Sequence, residues 1–128
     1  MKGAFLLSAN PNLFGMIADI LIPQGAAYAE DDGGILQFAD PSGRLFTLFG
    51  EVSPGTEWEY RNGRPARPDT TVPDTQEMTA CVIECRWDDL FVCIVRHLSD
   101  RISEPIWVLD SGGEIWPAAE IEPGQVQL

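Results

Sequence analysis

The sequence predicts an α+β domain in which an antiparallel sheet of about five strands carries two helices on one face. Three observations lead there. Two segments repeat apolar residues at helical spacing. Short β-rich runs, joined by turns rich in Asp and Gly, lie between and after them. Finally, 128 residues with 45% apolar content suit one domain with its own core and no need of a metal or disulfide staple.

Residues 4–8 (Ala-Phe-Leu-Leu-Ser) read as a short strand or an extended lead-in. A helix is expected over about 11–21, with Asn10 as N-cap and Pro11 at the first helical position, where its missing N–H costs nothing. Leu13, Ile17, Ile20 and Leu21 form its apolar stripe, Phe14 widens it, and Pro23 with Gly25 ends it. Residues 26–29 suit a further short strand, and Asp31-Asp32-Gly33-Gly34 a turn. Residues 35–39 and 45–49 flank Asp40-Pro41-Ser42-Gly43, with Pro second and Gly last, which predicts a hairpin.

Residues 53–78 break this rhythm with Pro54, Pro65, Pro68 and Pro73, two glycines and few aliphatic side chains. They read as a long loop, a kind usually functional or disordered. Trp58 and Tyr60 alternate there with Glu57 and Glu59, compatible with an embedded strand, and Arg61, Arg64 and Arg67 make a basic cluster. Residues 79–86 are β-branched and apolar, as a central strand requires. Asp88 and Asp89 then open a second helix at its positive end. Its apolar face is Leu90, Phe91, Ile94, Val95, Leu98 and Ile102, with Arg96 towards solvent and Arg101 in the last turn. A terminal hairpin pairs 106–109 with 114–116 around Asp110-Ser111-Gly112-Gly113. That turn matches the first one position by position, a repeated use of one turn chemistry rather than an internal repeat. The tail, 118–128, is expected to run extended with Val126 and Leu128 packing down.

Charge narrows the function. Twenty Asp and Glu face eight Lys and Arg, a net −12. Nucleic acid and anionic membranes are poor partners for such a surface, because phosphate binding depends on clustered basic side chains. A basic protein would meet it faster. An interrupted N-terminal apolar stretch, broken by Asn10-Pro11-Asn12 and carrying Asp19, does not fit a secretory leader, and no run approaches the ~20 apolar residues of a membrane span. The cytoplasm is the expected compartment. Cys81, Cys85 and Cys93 lie in apolar segments and are expected as reduced, buried thiols.

No chemical signature emerges. His97 is the single histidine, and Cys93 stands four residues before it on one helix side, yet an acidic, apolar setting does not activate a thiol. Cys81, Cys85, Cys93 and His97 match zinc in number and not in spacing. The acidic turns lack the staggered oxygen ligands of a calcium loop, and there is no glycine-rich phosphate cradle. No catalytic residue, metal or cofactor is therefore expected. Trp107 and Trp116 suit the core, whereas Trp58, between Glu57 and Glu59, suits a binding patch for a cationic protein surface. On charge and exposure, the candidate partner-binding residues are Glu30, Asp31, Asp32, Glu57, Trp58, Glu59, Asp88 and Asp89.

The terminal pattern Trp-Val-Leu-Asp-x-Gly-Gly-x-Ile-Trp-Pro at 107–117, on a small acidic α+β domain without catalytic apparatus, resembles the immunity proteins of bacterial polymorphic toxin systems. The resemblance implies a stoichiometric inhibitor that plugs a basic toxin site with carboxylates. Alternative expectations are a structural or adaptor subunit, a small-molecule-binding module with a pocket lined by Trp87 and Trp107, and an enzyme, which would need His97 or a carboxylate pair in a cleft.

Overall fold

The N-terminal apolar segment, Gly3–Ser8, is strand β1 and sits inside the sheet rather than leading into it. The computed structural model describes residues 3–30, 33–50, 63–66 and 77–128. After β1 come α1 (Leu13–Leu21), a 3-10 turn (Ile22–Gln24), β2 (Ala27–Ala29), β3 (Ile35–Ala39) and β4 (Leu45–Phe49). Then follow β5 (Arg64–Pro65), β6 (Thr79–Cys85), α2 (Asp88–Arg101), β7 (Trp107–Leu109), β8 (Glu114–Pro117) and a closing 3-10 turn (Ala118–Glu120).

The class is the expected one, α+β, with two α-helices and a mostly antiparallel sheet among the described residues. The strand count differs: the described residues form eight strands in the order β2-β3-β4-β6-β1-β7-β8-β5, not about five. Two of the eight are very short: β2, three residues inside the 26–29 segment read as a strand, and β5, two residues inside the segment read as a loop and too short for any period-two pattern to register. Each is held by pairing with a longer neighbour, β2 with β3 and β5, in parallel, with β8.

Position in the sheet explains the composition of β1. It pairs with β6 from Gly3↔Glu84 to Ser8↔Thr79 and with β7 from Phe5↔Leu109 to Leu7↔Trp107. Its consecutive Leu6 and Leu7 are both fully buried, because apolar groups pack on both faces there. Leu6 joins one apolar cluster with Leu36, Phe46, Leu48, Cys81, Ile83, Val108 and Trp116, together with Leu13, Ile17 and Leu21 of α1 and Leu90, Phe91, Ile94, Val95 and Leu98 of α2. Leu7 joins a second, smaller one with Met78, Ala80, Leu109 and Ile115, against which Phe5 and Trp107 pack.

Helix α1 begins two residues later than expected, and Asn10 is not its cap. Asn10 Oδ1 accepts from the Asn12 N–H (2.9 Å), and its own N–H donates to Ser8 Oγ (3.0 Å). The side chain therefore closes a turn before the helix, and Asn12 takes the cap position without a side-chain bond. Helix α2 starts at Asp88 as read, with both acids in its first turn and Arg101 in its last.

The two hairpin turns use the same chemistry. Asp40 Oδ1 accepts from the N–H groups of Ser42 (2.9 Å) and Arg44 (2.8 Å), and Asp110 Oδ1 from those of Gly112 and Glu114 (both 3.0 Å). Gly43 and Gly113 sit at φ 82° and 81°, left-handed values that a Cβ disfavours. The second carboxylate oxygens diverge. Asp40 Oδ2 takes Arg44 Nε at 2.7 Å, whereas Asp110 Oδ2 takes the Trp116 indole N–H at 2.9 Å and the Gln127 N–H at 3.3 Å. The second turn is thereby tied to the core and the tail. Val126 is buried and Leu128 half-buried, and Ala118 and Ile121 are buried as well.

Candidate functional site

A charged knot joins the β3–β4 turn to the start of α2. Arg44, just before β4, donates Nε to Asp40 Oδ2 at 2.7 Å and Nη1 to the two oxygens of Asp89 at 3.0 and 2.9 Å. Its guanidinium carbon stands 5.9 Å from the ring centre of Trp87, within cation–π range. Hydrogen bonding to Arg44 holds both the Asp40 and the Asp89 carboxyl below their ordinary 3.8, and the same bonds raise Arg44. Asp89 is solvent-exposed, so the Arg44–Asp89 pair fixes geometry more than it adds stability, whereas the Arg44–Asp40 pair is partly covered.

Two hollows lie beside this knot. One, of about 460 Å³, is lined by Leu21 at the end of α1 and Gln24 just beyond it, Phe38, Asp40 and Arg44 of the hairpin, and Asp89, Leu90, Cys93, Ile94 and His97 of α2. Asp89, Cys93 and His97 fall four residues apart, so one stripe of α2 forms this wall. The second, of about 670 Å³, is lined by Gln37, Gly43, Leu45, Thr47, Glu84, Cys85, Arg86 and Trp87. Trp87 is 37% and Leu45 43% exposed, large apolar side chains left open at its border.

The Cys93–His97 pair behaves differently from expectation. Cys93 is exposed, not buried, because its place on α2 falls between the stripes that face the core. Cys81 and Cys85 are buried as expected, and burial pushes their thiols up, Cys81 to about 12. The Gln24 amide nitrogen lies 2.8 Å from His97 Nε2. Among the described residues no group of three or more His, Cys, Asp and Glu side chains is placed to hold a metal ion. No described helix is long and apolar enough to cross a membrane.

Three of the eight candidate partner-binding residues fall within the described structure. Glu30 is exposed at the end of β2, Asp89 is exposed in the knot, and Asp88 beside it is half-buried. Asp31, Asp32, Glu57, Trp58 and Glu59 lie outside the described residues, as does most of the 53–78 segment. Trp107 lines neither hollow beside the knot: Trp87 borders the 670 Å³ one, and Trp107 packs against the second apolar cluster. Sequence reasoning missed Arg44, Asp40, Phe38 and Gln24. The Asp40–Arg44 spacing was visible, but the Arg44–Asp89 bond spans 45 residues and only the fold reveals it.

Comparison of the chain with protein-family models, curated proteins and solved structures returns no match.

Proposed function

We propose that the protein is an acidic binding protein that docks and neutralises a basic protein partner, in the manner of a toxin-immunity protein. The observation that supports this reading most directly is a corner where exposed Trp87 and Leu45 border one hollow and Asp88 and Asp89 follow Trp87 at the start of α2. Aromatic anchors beside charged groups are the usual centre of an interface. The net charge of −12 adds long-range attraction for a cationic surface. Arg44 does not spoil the corner, because Asp40 and Asp89 already bind its guanidinium. The cluster shared by α1 and α2 fits both helices covering one sheet face, which would leave the second hollow and its Trp87 border open to the partner.

The test is affinity capture of the tagged protein at low and high salt, with wild type beside Trp87→Ala and Asp88→Lys. A basic protein held in equal stoichiometry, released by salt, and lost in both variants is the expected result. Capture that ignores salt and both substitutions would remove this corner, and the electrostatic reading with it.

The groove beside Cys93 and His97 favours a second reading, a small-molecule-binding module. Its size falls within the range of ligand pockets, and Leu21, Phe38, Leu90 and Ile94 give it an apolar lining. Thermal-shift screening of wild type against Leu90→Gln would distinguish it: a ligand that stabilises the first and not the second supports the groove.

A further inference from the structure

The sheet ends in two edges of opposite character. At one end is β5, whose neighbours in the ladder are fixed by the Arg64 N–H donating to Gly113 O (3.0 Å) and the Ala66 N–H to Ile115 O (2.9 Å). The residue between them faces outward, and it is Pro65, so that edge has no N–H there to offer an incoming strand. At the other end is β2, whose Ala27, Tyr28 and Ala29 are all exposed; among the described residues it pairs only with β3, and alternate residues turn their N–H and C=O groups outward. It contains no Lys, no Pro and no bulge, and shortness is its one protection against added strands. Alanine on either side of Tyr28 leaves the backbone accessible. Tyr28 itself is 48% exposed and tilts against Phe14 with ring centres 6.1 Å apart, forming an aromatic ledge beside the open backbone.

We infer that the open edge of β2 receives an extended, Lys- or Arg-bearing segment of a protein partner as an added strand. The inference rests on the reading of a basic partner and names the way that partner is held. Charge decides the occupant. A second copy pairing through β2 would bring two chains of −12 together, with Glu30 immediately following each strand, a like-charge contact that costs stability. A basic segment meets the same Glu30 favourably. Main-chain bonds to β2 supply part of the affinity in such strand addition, and side chains alternate between the Tyr28–Phe14 ledge and the opposite face.

The probe is a short peptide of alternating Lys and Val, followed by backbone NMR of the intact protein. Two further versions carry N-methyl groups on alternate residues, one version for each edge of the peptide, and a Glu–Val peptide serves as charge control. The expected result is amide shifts at Ala27, Tyr28 and Ala29, with one methylated version bound about tenfold more weakly and the other unchanged, since only one peptide edge faces β2. The Glu–Val peptide should not bind. Equal binding of both methylated peptides would overturn the inference, and so would no binding by the Lys–Val peptide. Shifts gathered at Trp87 and Asp89 instead would also overturn it while leaving the basic-partner reading intact. Concentration-dependent self-association with shifts at β2 would replace the partner by a second copy. Salt-dependent capture with Asp88→Lys tests the basic partner separately, so the two failures can be told apart.

Discussion

Removing the carboxylate of Asp110 should damage the fold far more than its position in a turn suggests. Asp110 is only 4% exposed, and its two oxygens accept from Gly112, Glu114, the Trp116 indole and Gln127. In Asp110→Ala the buried indole N–H loses its carboxylate acceptor, at a cost of about 1–3 kcal/mol. The turn and tail amides lose bonds to a charged acceptor, and partial solvation limits that loss to about 2 kcal/mol altogether. A destabilisation of about 3–5 kcal/mol follows, a large share of the roughly 5–15 kcal/mol that keeps a domain folded. The assay is urea unfolding followed by tryptophan fluorescence, with Asp40→Ala as the matched control. Asp40 closes the same kind of turn, but its second oxygen goes to Arg44, a half-buried side chain that keeps Asp89 as a partner, so its replacement should cost much less. Asp110→Asn should fall between the two, since one amide face must turn an NH2 towards the indole, and that penalty should shrink in a Trp116→Phe background. Equal unfolding midpoints for Asp110→Ala and Asp40→Ala would refute the reasoning.

Other expectations concern the core, the thiols and acid. Phe91 is fully buried with its ring 6.3 Å from that of Phe46, so Phe91→Ala should cost about 3–5 kcal/mol by denaturant unfolding. At neutral pH a maleimide should label the native protein at Cys93 alone, and Cys93→Ser should abolish labelling until denaturant exposes Cys81 and Cys85. Asp40 and Asp89 have folded pKa values below 3.8; such groups contribute fully above the ordinary carboxylate range and lose that contribution as pH falls through the lowered value. Side-chain carboxyl NMR should therefore show both titrating below 3.8, and Arg44→Gln should return both towards it.

Long, periodic elements were legible because their burial pattern is local. The β3–β4 hairpin and the extent of α2 match the reading, and all six residues assigned to the α2 apolar face are buried. What failed was whatever depends on neighbours distant in sequence. The segment 4–8 carried no mark of being inside the sheet, because Leu6 and Leu7 become buried only through β6 and β7. Cys93 sits beside apolar residues in sequence, but exposure on a helix follows the angular position of a residue rather than its neighbours. Only one pair of the candidate site was readable, Asp88 and Asp89 at the helix start. The partner of Asp89 comes from a turn 45 residues earlier, and no periodicity encodes that meeting.

The two turns show how one local motif can serve two ends. In both, an Asp accepts the amides of the second and fourth residues after it, so the hairpin shape is secured locally. The remaining oxygen is then free to choose a partner. At Asp110 it meets an indole and the tail, which turns the hairpin into a buried joint. At Asp40 it meets Arg44, whose other nitrogen reaches Asp89 across to α2. An arginine held at both ends carries no free charge to repel a basic partner. It also keeps Trp87 within cation–π range and thereby orients the aromatic side chain beside the acids. Arg44→Ala should accordingly loosen Trp87 while making the corner more negative. If orientation of Trp87 governs docking, the substitution weakens capture of a basic partner; if charge alone governs it, capture strengthens.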